Sequence, residues 1–152
     1  MASAMTDTDQ KHLARAYDLA AMSFSEGGLP IGSVLARGET VLGQGHNQRI
    51  QKSDPIAHGE MDAIRSAGRQ KSYAGTTLYT TLSPCMMCAG TIVQFRIPRL
   101  VIGENRNFGG NEDFLRRLGV ELIVADDARC IELMGRFIRE RPAIWNEDIG
   151  AA

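Results

Sequence analysis

The chain is short of cysteine, of net charge and of long apolar runs, and each shortage excludes something. Three cysteines in 152 residues, Cys85, Cys88 and Cys130, are too few and too odd in number for a secreted disulfide frame. The formal net charge of −1 gives no reason to expect a nucleic-acid coat or a membrane-surface protein, although it leaves room for a local basic patch. No window approaches the ~18 uninterrupted apolar residues that a membrane span needs. The first residues, "MASAMTDTDQK", hold no apolar signal core. The expectation is a cytoplasmic protein with reduced thiols and no membrane partner. Low-complexity stretches, internal repeats and linkers are missing too, so residues 1–152 read as one domain long enough to bury a core.

What is there is a regular alternation of periods. Leu13, Tyr17, Ala20, Ala21 and Phe24 recur at helical spacing and predict a helix over residues 9–25. The stretch "EGGLP" stops it, since Gly27 and Gly28 suit a helix end and Pro30 cannot continue one. "IGSVLAR" and "VLGQGHN" read as two strands joined by a short turn, an antiparallel hairpin. Residues 54–68 predict a helix, "TTLYTTL" a buried strand, and residues 84–95 a helix opened by Pro84. "RLVIGE" and "VELIVA" are two further strands, separated by the loop "NRNFGGNED" and a short helix "FLRRLG". A helix over 127–141 and a short one over 142–150 end the chain. A hairpin followed by strands alternating with helices implies an α/β three-layer sandwich on about five strands. Strand order does not follow from this pattern.

The chemistry gathers at two helix starts. Cys85 and Cys88 open a helix that follows a strand, where free amide N–H groups and the helix dipole favour thiolates. Their i, i+3 spacing puts both sulfurs on one side of the first turn, able to grip one ion. "HGE" supplies what the pair lacks. His58 is a good zinc ligand, and with Cys85 and Cys88 it leaves a fourth tetrahedral position open for water. Zinc lowers the pKa of such a water toward neutrality, and Glu60, two residues on, is an unligated carboxylate able to take its proton. Two plainer readings compete. A redox CxxC would leave His58 and Glu60 unexplained, and a closed structural site would need Cys130 as fourth ligand. His12, His46, Met86 and Met87 read as structural or packing residues.

H-x-E followed by P-C-x-x-C is the signature of zinc nucleobase deaminases, and here it reads His58-Gly59-Glu60 and Pro84-Cys85-Met86-Met87-Cys88. On these motifs the chain resembles the cytidine and deoxycytidylate deaminase superfamily. It resembles the fungal-type cytosine deaminases more narrowly, from "EGGLPIG" through "GQGHNQR" and "GENRNF" to "IRERPAIWNEDIG". The resemblance implies a cytidine deaminase-like α/β/α sandwich on a five-stranded mixed sheet, a homodimer, one Zn²⁺ per chain and hydrolysis of cytosine to uracil and ammonia. Carried over residue by residue, it gives Asn47 the ring edge, its amide N–H₂ donating to the 2-oxo group and its carbonyl accepting from N1–H. One amide satisfies that adjacent acceptor and donor, and a nucleoside lacks the N1–H. The Gly59 N–H would support the 2-oxo group, while the Ser83 carbonyl and the Asp148 carboxylate accept from the 4-amino group. Asp148 would also hold the second ring nitrogen of His58. Phe108 would stack on the base, with Trp145, Ile31 and Leu82 as apolar walls. The Cys85 backbone N–H would donate to the developing oxyanion. Two departures from the family pattern stand out. Met86 replaces an acidic residue common between the ligands, and the "FGGNED" loop is short.

Two rivals use the same zinc core. Isocytosine presents the same amino carbon, N3 and carbonyl carbon, and differs from cytosine only on the far side of the ring. An adenosine deaminase acting on tRNA would need a positive channel for a flipped nucleotide. Arg96, Arg99, Arg106, Arg116 and Arg117 offer charge for one, but the acidic "WNEDIG" end looks like a lid over a small pocket, and a nucleic-acid partner is not expected. For the homodimer, Met87, Ile92 and Phe95 on one helix are the candidate contact.

Overall fold

The computed structural model describes residues 5–151, and the reading of residues 1–4 lies outside it. The chain forms α1 (Asp7–Ser25), the hairpin β1 (Gly32–Arg37) and β2 (Thr40–His46), α2 (Gly59–Ala67), and β3 (Thr76–Leu82). It continues through α3 (Met86–Gln94), β4 (Arg99–Glu104), α4 (Glu112–Arg117), β5 (Glu121–Val124), α5 (Ala128–Glu140) and α6 (Pro142–Asp148). The strands make one mixed sheet in the order β2-β1-β3-β4-β5. β1 runs antiparallel to both β2 and β3, while β3, β4 and β5 are parallel to one another.

Side-chain alternation on the strands divides the core in two. Leu35, Leu78, Leu100 and Ile102 face a layer that includes Ile64 of α2, Ile92 of α3 and Leu115 of α4. Val34, Tyr79, Val101 and Ile123 face Leu13, Ala16 and Leu19 of α1 on the other side, where α5 also packs. This is the three-layer sandwich the alternation of periods predicts. α1 is tied to the sheet by a buried polar clamp as well as by apolar packing. Asp9 closes a capping box with Thr6, accepts two hydrogen bonds of 2.7 Å from Arg99 on β4, and accepts another of 2.7 Å from the Tyr79 hydroxyl.

The close approach of α2 follows from "VLGQGHN". A Cβ on Gly43 would lie 2.3 Å from the Ala63 carbonyl oxygen, and one on Gly45 would lie 2.3 Å from Asp62 Oδ2. Only glycine at these two alternating positions lets α2 settle on the backbone of β2. Two predicted helices start later than their apolar pattern suggests. Residues 54–58 form turns and a cap instead of a helical turn, so α2 begins at Gly59 and His58 is its N-cap. α3 begins at Met86 with Cys85 as N-cap. Pro55 and Pro84 sit in the approach to each helix and not within it, as their missing N–H allows. The short helix near residue 114 starts two residues earlier, at Glu112.

Candidate active site

The carboxyl ends of β2, β3 and β4 and the start of β1 converge at one end of the sheet, since Gly32 is paired with His46 and Ser33 with Thr80. α2 and α3 both begin there. His58 and Cys85 occupy the two N-cap positions in extended backbone, and neither side chain caps its own helix. The first-turn N–H groups are left for other partners, and the side chains turn to each other. Cys85 Sγ lies 3.5 Å and Cys88 Sγ 3.6 Å from His58 Nδ1. The three donor atoms all lie within 4.8 Å of one another. Bonds of about 2.05 Å to nitrogen and 2.3 Å to sulfur at a tetrahedral angle require a nitrogen–sulfur separation of ~3.5 Å. Both nitrogen–sulfur separations match one tetrahedral ion, and two thiolates with one imidazole favour zinc. Among the described residues this is the one such group, and Cys130 is not in it. It lies on α5, 2.8 Å from where a Gly103 Cβ would stand, on the other side of the sheet. The closed structural site with Cys130 as fourth ligand is excluded by that placement.

Charges in the cluster are shared. Burial pulls the His58 imidazole down, but Asp148 at 3.4 Å from Nε2 and the Cys85 sulfur outweigh it and hold the ring protonated, up to about 10. The hydrogen bond from Cys88 lowers Cys85 to about 4 against its burial, with help from His58. Cys88 is pushed up by that same bond, by burial and by Glu60. An ion entering this site must displace the protons of His58 Nδ1 and Cys88. Glu60 is 3% exposed, and burial raises its carboxyl above the ordinary range although Cys88 and His58 oppose this. Its Oε1 accepts a 3.0 Å hydrogen bond from Thr80 Oγ1.

A cavity of about 530 Å³ opens beside the cluster, lined by Ile31, His58, Glu60, Leu82, Ser83 and Cys85, then by Met86 and Met87. Phe108, Gly109, Gly110 and Asn111 form a second wall, and Trp145, Asp148 and Ile149 of the C-terminal segment complete the lining. No lysine or arginine lines it. Phe108 and Trp145 meet edge to face with centroids 6.1 Å apart. Asn47 and Gly59 adjoin the lining residue Ile31. The Asn47 N–H donates to the Ile31 carbonyl at 2.8 Å, and a Gly59 Cβ would lie 3.0 Å from that oxygen. Asn47 is fully buried, its Oδ1 accepts from Arg49 N at 2.9 Å, and its Nδ2 has no protein partner. A buried amide with two spare donors is costly unless something arrives to accept from it.

Several residues that shape this cavity carry no signal in the motifs. Glu104, fully buried at the end of β4, accepts from the Arg106 and Asn107 N–H groups at 2.7 and 2.9 Å and from Asn107 Nδ2 at 2.8 Å, fixing the loop that presents Phe108. Ser83 Oγ donates to Glu112, and Asn111 Nδ2 to the Pro84 carbonyl at 3.0 Å, so the short "FGGNED" loop is pinned to the turn that carries Cys85. Arg49 reaches α6, with Nη1 2.7 Å from Glu147 and Nε 3.5 Å from Asp148. Met86 and Met87 line the cavity and are not core.

Comparison with known proteins agrees with this site. The model of the cytidine and deoxycytidylate deaminase zinc-binding region matches residues 6–104, which carry all three donors and Glu60. The chain belongs to the cytidine and deoxycytidylate deaminase family. This deaminase chain is 54% identical over 149 residues to a cytosine deaminase of Candida albicans, covering 96% of this chain and 99% of that one. It is 34% identical to a tRNA-specific adenosine deaminase of Buchnera aphidicola, covering 92% and 94%. A solved tRNA:A34 deaminase structure superposes with a TM-score of 0.72 at 27% identity, covering 82% of this chain and 99% of that one. A guanine deaminase of Nitrosomonas europaea, at 16% identity and a TM-score of 0.74, shares the fold over 88% of this chain and 85% of its own.

Proposed function

We propose that this deaminase hydrolyses free cytosine to uracil and ammonia. The observation that carries the reading is the 54% identity, end to end, to the cytosine deaminase of Candida albicans. The cavity makes it physically sensible. It reaches the zinc donors and Glu60, it is lined in part by α6, and it offers no cation to a phosphate. Three of the five arginines a nucleic-acid channel would draw on are paired with carboxylates: Arg99 with Asp9, Arg106 with Asp126 and Arg116 with Asp113.

His58, Cys85 and Cys88 would hold the zinc ion, which would make a water acidic enough to act as nucleophile near neutral pH. Glu60 takes that proton and delivers it to N3, then passes the second to the 4-amino group so that ammonia leaves. A carboxyl whose pKa is raised by burial suits both directions of transfer. The Cys85 N–H, at a helix N-terminus, donates to the oxygen as C4 becomes tetrahedral. Asn47 Nδ2 and the Gly59 N–H donate to the 2-oxo group, and Asn47 Oδ1 has a second lone pair to accept from N1–H. The Ser83 carbonyl and Asp148 receive the amino hydrogens, with Phe108 and Trp145 around the ring and Ile31 and Leu82 as walls. Asp148 orients His58 through Nε2. Glu60→Gln is expected to keep one zinc per chain and lose turnover on cytosine by about 10²-fold or more. A Gln variant with full activity would remove Glu60 from the mechanism.

The reading extends to a homodimer in the cytoplasm, where three free thiols stay reduced. No helix of the described residues is long and apolar enough to cross a membrane. Ile92, offered from the sequence as a contact, is fully buried in the core and has no surface to give. The outward side of α3 presents Met86, 56% exposed, with Gly90 and Gln94, and Phe95 at its end, and this apolar-edged face is the one that supports the dimer.

A further inference from the structure

Two hydroxyls that the reaction above does not use run in line toward Glu60. Ser33 on β1 and Thr80 on β3 are register partners, and both are fully buried. Ser33 Oγ donates to Thr80 Oγ1 at 3.1 Å, and Thr80 Oγ1 donates to Glu60 Oε1 at 3.0 Å. Both positions fall on the strand faces that carry Leu35 and Leu78, turned to the α2–α3 layer. Polar side chains at two adjoining points of an otherwise apolar surface are costly unless they serve each other.

The polarity of this chain is fixed by counting protons. A hydroxyl has one proton to give. Thr80 spends it on Glu60, its oxygen accepts the proton of Ser33, and the donors run one way from strand to carboxylate. A proton placed on Oε1 would face the Thr80 hydroxyl head-on, and both hydroxyls would have to turn within a packed sheet to receive it. A proton placed on Oε2 leaves the Thr80–Oε1 bond and the direction of the chain as they are. Thr80 stands on a central strand, paired on both sides by β1 and β4, so its oxygen is a rigid reference point for a side chain with three rotatable bonds.

We propose that Thr80, backed by Ser33, is a positioning residue for Glu60: its hydroxyl holds Oε1 as a permanent acceptor and assigns proton transfer to Oε2. The proposal rests on the reading of Glu60 as the proton carrier of cytosine deamination. Thr80 touches neither substrate nor metal and acts through the carboxylate alone.

Thr80→Val keeps the branched shape and removes the donor, whereas Thr80→Ser keeps the donor. In zinc-loaded protein Thr80→Val is expected to lower kcat about 10- to 100-fold, with KM for cytosine and zinc content unchanged, and Thr80→Ser is expected to recover most of the rate. A crystal structure of zinc-loaded Thr80→Val should show the Glu60 carboxylate turned from its wild-type orientation. An unchanged kcat in the Val variant, or a Ser variant as slow as Val, overturns the proposal. So does a loss of rate matched by loss of zinc, which is the mark of a merely structural residue. Should Thr80→Val fail to fold, Ser33→Ala leaves the Thr80–Glu60 bond unbacked. It is expected to lower kcat about two- to fivefold with KM unchanged, and no change would count against the proposal. Wild-type protein silent on cytosine would refute the functional reading, while an unturned Glu60 in the Val structure would refute the positioning by itself.

Discussion

Glu60 and the three donors owe their chemistry to where each side chain is denied water. Glu60 is buried at the start of α2, which raises its affinity for a proton without removing it from the cavity it lines. Cys130 is the control within the same chain. It is also a buried thiol, pushed up by burial, but it lies on α5 and packs against the far side of the sheet. Cys130→Ser is expected to leave one zinc per chain and full activity, with a modest loss in Tm from placing a hydroxyl in an apolar site. Zinc loss measured by metal analysis in that variant would restore the closed structural site. His58, Glu60, Cys85 and Cys88 were legible because their spacing is itself the chemistry. Thr80 was less so, although a threonine between Leu78 and Leu82 on a strand face turned to a helix layer is a signal that alternation alone exposes. Glu104, Asn111 and Glu112 had no such signal, since their partners, loop backbone groups, the Asn107 amide, the Pro84 carbonyl and the Ser83 hydroxyl, are brought to them only by the fold.

Among the elements, the two site helices work through their caps. An N-cap residue keeps extended backbone while its helix begins beyond it, so placing His58 and Cys85 there lets both side chains leave their helices and meet. The apolar pattern over residues 54–68 hid this, because a periodic stretch does not say which residue is the first to be helical. Pro55 and the turn residues after it decide that locally. α1 depends on a different device. The Arg99 guanidinium, with Thr6 and Tyr79, holds the Asp9 carboxyl well below the usual carboxylate range although burial opposes this. The folded state thus binds that proton more weakly than the unfolded chain does. The stabilisation is fully present above about pH 4, the ordinary Asp value, and drains away as pH falls through the lowered folded one. Asp9→Asn is expected to cost about 3 kcal/mol at neutral pH, because it leaves the Arg99 charge without its buried partner. The same variant should flatten the acid limb of stability against pH in denaturant titrations. An Asn variant as stable as wild type at pH 7 would show that α1 is held by Leu13, Ala16 and Leu19 alone.

At the scale of the molecule, the alternation of periods was enough for the layers but not for the order of strands. β1 sits inside the sheet between β2 and β3, and that placement depends on register partners such as Ser33 with Thr80, which no local pattern contains. Three of the arginines of residues 96–117 meet separate acidic partners in the fold, Arg99 with Asp9, Arg106 with Asp126 and Arg116 with Asp113. The exposed edge of α3 gives the dimer its test. Wild-type protein is expected to run at twice the chain mass in light scattering, and Met86→Asp at the chain mass. A monomeric wild type would contradict the dimer. The most direct test of the whole account is ammonia release by zinc-loaded protein from cytosine, cytidine, isocytosine, guanine and adenine at matched concentrations. Cytosine is expected well ahead of all the others, with cytidine rejected because Asn47 finds no N1–H. Cytidine turned over as fast as cytosine, isocytosine in the lead, or silence on every free base would contradict it.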